Sequence, residues 1–155
     1  MPPASPLDGI RPLSATVARR TLWWYQSCLS HGCEGTGRGW FTGWPSLAID
    51  APPVGHRVLE WLAFAQGVGG ELYYNTVEAW ADGDPWIDAL RHGGNGDGTL
   101  FYPGTPGRIG GHTAVPVESI RLRRIRDALE DYEYLSLLAG AGPVTRAFAE
   151  ETARG

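Results

Sequence analysis

The sequence has no lysine, only two cysteines and no long apolar run, and each absence excludes a class of function. All 13 basic residues are arginines, which excludes mechanisms that need a lysine amine, such as the P-loop of nucleotide hydrolases or Schiff-base catalysis. No segment approaches the roughly 20 apolar residues of a membrane span, and the N-terminus lacks the apolar centre of a secretory signal. As written, the sequence therefore predicts a soluble chain that is neither exported nor membrane-bound and is cytoplasmic, while the two cysteines leave the redox compartment undecided.

Basic charge is also scarce. The net charge is −4 with a pI near 5.5, and a nucleic-acid module would need clustered basic residues to neutralise phosphates. With 155 residues, of which 43% are hydrophobic, the chain can form one modest core, but it is too short for a complete α/β barrel of about 250 residues. We therefore predict one folded unit that does not bind nucleic acid.

Three potential metal ligands lie close together in the sequence at Cys28, His31 and Cys33. A structural zinc site would need a CxxC pair or a second ligand pair, and the sequence has neither. Ordinary loop residues or a small disulfide loop fit the same spacing. We predict no metal and no cofactor.

Hydrophobic patterning predicts two strands that alternate with two helices. Thr21–Cys28 and Glu71–Val77 are short aromatic runs typical of strands, whereas Val54 to Gly67 and Val117–Ala139 have helical spacing. The predicted division of the chain is an irregular lead-in over 1–20, a folded part over 21–139, and a tail over 140–155 that includes a short helix over Thr145–Arg154.

The connections in this order are long after each strand and short after the first helix. Such alternation favours parallel crossover units, and the asymmetry of the loops is typical of barrel enzymes, whose ligand sites lie at the carboxyl ends of the strands. The predicted fold class is therefore α/β, as part of a (β/α)8 barrel. Two strands cannot close a barrel, and they leave edges with unpaired backbone groups.

Aromatic residues are concentrated in the two long loops and at the strand ends. Aromatic faces stack on sugar rings while Asp, Asn and Tyr oxygens bind hydroxyls, so this mixture favours a carbohydrate ligand, although the same residues also serve to pack long loops. Asp50 precedes a helix whose first turn holds Pro52 and Pro53, so its carboxylate is predicted to bind either a substrate hydroxyl or Arg57. Asp97 is predicted to lie in a tight glycine-rich turn.

Six blocks in a fixed order resemble one family. They are WWYQSC, GWPSLAIDAP, Arg57 followed by Trp61, GELYYN, NGDGTLFYPG and PVESIRLRRIRDALEDYEYL. Over about Leu22 to Leu138 the sequence resembles the C-terminal portion of the catalytic region of glycoside hydrolase family 123, also called domain-of-unknown-function family 4091.

The resemblance implies a (β/α)8 barrel in which the two strands are the seventh and eighth. It also implies retaining, substrate-assisted hydrolysis of N-acetylgalactosaminides, in which an Asp next to a Glu assists the reaction. This sequence contains no Asp followed by Glu, so no catalytic residue is assigned. The predicted substrate-binding residues are Trp24, Tyr25, Asp50, Tyr73, Tyr74, Asn75, Trp80 and Asp97.

The expected protein is thus a fragment of a glycosidase that is inactive alone. Its expected partners are an amino-sugar glycan and the missing N-terminal barrel strands, supplied in cis or in trans. The alternative is a non-catalytic carbohydrate-binding module, which the same aromatic residues would serve.

Overall fold

The computed structural model describes residues 22–25, 45–91 and 94–154. Within these ranges the chain forms five helices and three two-stranded sheets. In chain order the elements are β1 (Trp23–Tyr25), α1 (Gly55–Gln66), β2 (Gly70–Leu72), α2 (Ala79–Asp82), β3 (Leu90–Arg91), β4 (Gly94–Asn95), β5 (Phe101–Gly104), α3 (Pro106–Ile109), β6 (Val115–Glu118), α4 (Ile120–Gly140) and α5 (Pro143–Arg154). The lead-in over 1–20, the Cys28, His31 and Cys33 group, and the aromatic residues Trp40, Phe41 and Trp44 lie outside the described residues.

The two predicted strands pair in parallel. Trp23 lies opposite Gly70, and Tyr25 lies opposite Leu72, so the chain must cross over through α1 between them. The prediction of a parallel strand–helix–strand unit is confirmed. The second strand is shorter than predicted, however, because it ends at Leu72 and the backbone leaves the sheet before Val77. The architecture is that of a mixed α/β protein.

The core of the molecule lies between helices. Leu135 and Ala139 of α4 pack with Ala149 and Ala153 of α5, and Trp61 of α1 covers this cluster. The small alanine side chains allow the helices to approach closely. Although α4 is 21 residues long, no helix in the described ranges has both the length and the apolarity needed to cross a membrane.

The predicted stop of α1 is confirmed at Gly67. This glycine has φ of 70°, in the left-handed region, and the amide of Val68 donates to the carbonyl of Ala63 at 2.8 Å. That bond closes the helix end and turns the chain directly into β2. The short turn after α1 therefore follows from one glycine.

The long connection predicted from Glu78 to Pro116 is not a plain loop. It contains the antiparallel pairs β3 with β4 and β5 with β6, which fold the connection back on itself. The prediction that the last helix begins at Val117 is also wrong. Val117 belongs to β6, and α4 begins after Ser119, whose side chain accepts a hydrogen bond from the amide of Leu122 at 3.2 Å, because a serine there caps the helix.

One face of the parallel sheet is open. Trp23 is 65% exposed and Leu72 is 55% exposed, and Tyr25 is exposed on the same side. The Trp23 ring lies across Gly70, where an added Cβ would meet ring carbons at 2.6 Å. Large apolar side chains on a sheet face normally pack against another layer of secondary structure. We therefore expect further strands or helices to cover this face.

Candidate functional site

The described residues of both long connections lie beside the N-terminus of α4, and one arginine joins them. Arg121 is 2% exposed. Its Nη1 donates to the carbonyl of Leu47 at 2.9 Å and to that of Gly96 at 2.8 Å, and Nη2 donates to that of Thr99. Since Leu47 follows β1 and the other two acceptors follow β2, Arg121 fixes both connections to the same helix.

Gly96 is required at this junction. Its φ of +86° is in the left-handed region, and a Cβ there would lie 2.6 Å from Ile49 and 2.7 Å from Nη2 of Arg121. A side chain at this position would therefore push both the first connection and the guanidinium away. The predicted tight, glycine-dependent turn around Asp97 is confirmed.

A second junction holds the β5–β6 hairpin to the segment that carries α2. The indole nitrogen of Trp80 donates to the carbonyl of Phe101 at 2.9 Å, and that of Trp86 donates to the carbonyl of Pro103 at 2.9 Å. The Trp86 ring also contacts the Tyr102 ring, with centroids 4.7 Å apart. Both tryptophans thus anchor the hairpin by their N–H groups while part of each ring stays exposed.

A pocket of about 300 Å³ lies between these loops and the start of α4. Its lining includes His56, Trp86, Tyr102, Arg121 and Arg124. His56 is 4% exposed, and its Nε2 lies 3.0 Å from the carbonyl of Ala48. Burial lowers the pKa of His56, and the charges of Arg124 and Arg121 lower it further, while the bond to Ala48 opposes them. These surroundings therefore favour a neutral imidazole beside two guanidinium groups.

The predicted site residues on β1 face opposite sides of the sheet. The Trp24 indole donates to Oε2 of Glu71 at 2.9 Å, and Glu71 in turn contacts Glu60 of α1, so Trp24 lies on the helix side. Because neighbouring strand residues alternate, Tyr25 lies on the open side. The two residues therefore belong to different surfaces.

Beyond β2, the predicted residues differ in environment. Tyr74 is exposed, whereas Tyr73 is partly buried, and burial raises the pKa of the Tyr73 hydroxyl while the nearby Arg121 charge opposes the shift. The Oδ1 of Asn75 accepts hydrogen bonds from the amides of Val77 at 2.8 Å and Glu78 at 2.7 Å. These bonds shape the turn into α2.

The two predicted aspartates differ in the same way. Asp50 is exposed in a turn, and α1 begins five residues later at Gly55, so Asp50 does not hold the capping position. Asp97 has 0% exposure, and its Oδ1 accepts from the amide of Gly98 at 2.9 Å. Of the two carboxylates, Asp50 is therefore the one that can meet a ligand directly.

Arg57 binds Asp131 instead of Asp50, so that alternative for Asp50 is wrong. Its Nη2 donates to Oδ1 of Asp131 at 2.7 Å, and the Trp61 indole donates to Oδ2 at 2.8 Å. The Arg57 hydrogen bond is the main cause that holds the pKa of Asp131 below its ordinary value. Because Arg57 and Trp61 lie one turn apart on α1, both side chains bind the same carboxylate and hold α1 against α4.

Sequence reasoning missed an acidic pair on the helix side of the sheet. Glu60 is 5% exposed. Burial, with smaller contributions from the charge and the hydrogen bond of Glu71, raises the pKa of Glu60 to about 8. Glu71 lies in the GELYYN block and Glu60 lies next to Trp61 on α1, but no sequence signal shows that the two carboxyl groups meet. It borders a second pocket, of about 350 Å³, between β2 and α4.

Metal binding finds no support within 22–25, 45–91 and 94–154, because no cluster of three His, Cys, Asp or Glu side chains occurs there. The Cys28, His31 and Cys33 group lies outside these ranges. The candidate site thus consists of loops with exposed aromatic side chains, the exposed turn that carries Asp50, and a pocket lined by arginines.

Comparison with known protein families identifies the family of this chain. No curated protein and no solved structure matches this chain. The family model described as glycoside hydrolase 123, catalytic domain, matches residues 10–138, which is most of the sequence and includes every element from β1 nearly to the end of α4. The chain belongs to the catalytic-domain family of glycoside hydrolase 123.

Proposed function

We propose that this chain forms the last two strand–helix units of the barrel of a retaining N-acetylgalactosaminidase, and that it is inactive by itself. The observation that carries the proposal is the parallel pairing of β1 with β2, combined with long connections that both lie at the N-terminus of α4. In barrel enzymes the ligand binds at the end of the strands that carries such connections.

The open sheet face supports the barrel part of the proposal. Barrel strands alternate between residues that face the helices and residues that fill the barrel interior. Here Trp24 and Glu71 face the helix side, while Trp23, Tyr25 and Leu72 are exposed on the other side. Further strands that complete the barrel would cover Trp23 and Leu72, while Tyr25, the last residue of β1, would lie at the ligand end of the barrel.

The proposed reaction proceeds through the substrate's own acetamido group. Its oxygen attacks the anomeric carbon, an Asp stabilises the oxazolinium that forms, and the adjacent Glu protonates the leaving oxygen and later activates water. The sequence contains no consecutive Asp and Glu. The Glu60–Glu71 pair does not substitute for them, because it lies on the helix side of the sheet.

In this proposal the chain contributes to the sugar-binding wall. Tyr25, Asp50, Tyr74 and Trp80 are exposed and offer aromatic faces and a carboxylate to a sugar. Tyr73, Asn75 and Asp97 support the loops from positions that are partly or fully buried, whereas Trp24 supports the strand pair through Glu71. The wall then binds the glycan while a separate part of the barrel supplies the acid.

Hydrolysis of a chromogenic N-acetylgalactosaminide by the purified chain tests the proposal. We expect no turnover above buffer, and a parallel tryptophan-fluorescence titration with N-acetylgalactosamine should show weak binding that Tyr74→Ala reduces. Clear turnover would refute the inactivity. Tight, saturable binding by a stable monomer would instead favour a self-contained carbohydrate-binding module.

A further inference from the structure

The pocket at the start of α4 carries more positive charge than its own structure requires. Arg124 is half-buried in its wall and makes no hydrogen bond or ion pair with another described residue. Arg121 stands next to it, and its contacts described above are to neutral carbonyl groups. Two guanidinium charges in a concave site raise the local positive potential.

The acidic residue in the same lining does not neutralise this charge. Glu118 of β6 contributes to the wall, but its Oε1 accepts a hydrogen bond from Nε of Arg123 at 2.8 Å, and both side chains of that pair are largely exposed. Among the described residues of the lining, Glu118 is the only carboxylate. The pocket therefore retains an excess of positive charge.

His56 adds a buried polar atom without a partner. Because Nε2 lies against the Ala48 carbonyl, it carries the hydrogen and donates, which leaves Nδ1 as the second functional atom of the ring. Nδ1 is buried and has no hydrogen-bond partner among the described residues. Buried polar atoms normally have a partner, so a ligand in the pocket is one way to supply it.

The start of α4 contributes in the same direction. The first amides of a helix lack intrahelical acceptors and carry the positive end of the helix dipole. The side chain of Ser119 accepts from one of them, that of Leu122, and Ser119, Ile120 and Arg121 all line the pocket. The free N–H groups and the dipole at a helix N-terminus favour a bound anion.

We propose that this pocket binds the oxyanion substituent, a sulfate or a carboxylate, of a carbohydrate. Arg124 forms the charge-assisted contact, protonated Nδ1 of His56 donates a second hydrogen bond, and the contacting rings of Trp86 and Tyr102 provide an apolar wall for the sugar. That the ligand is a carbohydrate rests on the proposed function, whereas the binding of an oxyanion rests on the pocket alone.

Proton uptake accompanies binding in this proposal. The charged groups that face His56 are Arg121 and Arg124 of α4, and both disfavour the imidazolium. A bound oxyanion reverses this balance, since it stabilises the charged ring. Binding should therefore strengthen as the pH falls toward and below the ordinary pKa of histidine.

Calorimetric titration of the full chain with four probes tests the proposal: sulfated N-acetylgalactosamine, glucuronate, neutral N-acetylgalactosamine and inorganic sulfate. We expect at least one charged sugar to bind about tenfold or more tightly than the neutral sugar, and the two charged sugars distinguish sulfate from carboxylate. Arg124→Gln should remove this preference and leave the affinity for neutral sugar unchanged. Arg126→Gln, an exposed arginine on the same helix, is the matched control.

Three results would overturn the proposal. These are equal affinity for charged and neutral sugars, a preference that survives Arg124→Gln, and binding of inorganic sulfate without binding of either charged sugar. If the unmodified chain binds a charged sugar but not neutral N-acetylgalactosamine, the result contradicts the proposed sugar-binding wall and not the anion site. A tighter affinity for the charged sugar at lower pH, abolished by His56→Asn, would support the role of Nδ1.

Discussion

Among single changes at the junction of the two connections with α4, replacement of Arg121 by methionine should lower the free energy of unfolding the most. The methionine fills much of the same space but removes the guanidinium donor of three carbonyls, those of Leu47, Gly96 and Thr99, of which only that of Gly96 keeps another donor among the described residues, the amide of Thr99 at 3.2 Å. Each carbonyl that stays unsatisfied costs about 1–3 kcal/mol, and some will regain a partner as the loops relax. We therefore expect a loss of about 3–5 kcal/mol in the free energy of unfolding.

This loss is large compared with the roughly 5–15 kcal/mol that stabilises a typical domain. Urea unfolding followed by tryptophan fluorescence measures it, with Arg126→Gln as control, because Arg126 is exposed and contacts only Asp127 and Glu130 among the described residues. The control should change stability by less than about 0.5 kcal/mol.

Arg121→Lys separates charge from geometry. A lysine keeps the positive charge but lacks the planar fork that reaches three acceptors, so its expected loss lies between those of the methionine variant and the control. If Arg121→Met unfolds within about 1 kcal/mol of the unmodified chain, the reasoning that Arg121 fixes both connections is refuted.

Three further changes test other contacts. The pKa of Glu60 is raised to about 8 from 4.5, so the stability that its proton confers is complete below pH 4.5 and is lost as the pH rises to about 8, by up to about 1.4 kcal/mol per pH unit. In Glu60→Gln, a series of urea curves across this range should lose that slope, and an unchanged slope would contradict the assignment. Asp131→Asn weakens the bonds from Arg57 and Trp61 and should cost about 1–2 kcal/mol at neutral pH. Because the pKa of Asp131 is lowered, the difference from the unmodified chain should shrink as the pH falls through it, and a constant difference would argue against the ion pair. Gly96→Ala should cost more than 1 kcal/mol, about the value expected for strain at positive φ, whereas Gly107→Ala, where nothing lies within 4 Å, should be close to neutral in the same assay.

The sequence by itself determined the two long helices, the parallel strand pair and the family, but not the short helices α2 and α3. Helical spacing of apolar residues and a stop at Gly67 are local signals, and they predicted α1 and most of α4. The order of elements and the short turn before β2 predicted the parallel pairing. The six ordered blocks predicted the family that matches residues 10–138.

The same signals placed the candidate site only in outline. The loops that carry aromatic residues could be predicted, since glycine, proline and aromatic composition marks them. The hairpins within the second connection could not, because β3 and β4 have two residues each, too few to show a period. The helical spacing predicts Val117 as part of the last helix for the same reason, whereas the structure places it in a short strand.

Tertiary structure alone decided which polar residues matter. Arg121 stands in a series of helix arginines that look alike in the sequence, and it is singled out because it meets carbonyls from positions 22 to 74 residues away. Glu60 becomes a shared-proton partner only when β2 brings Glu71 against α1. Such contacts depend on how distant segments pack, and no local period or motif in a single sequence records that.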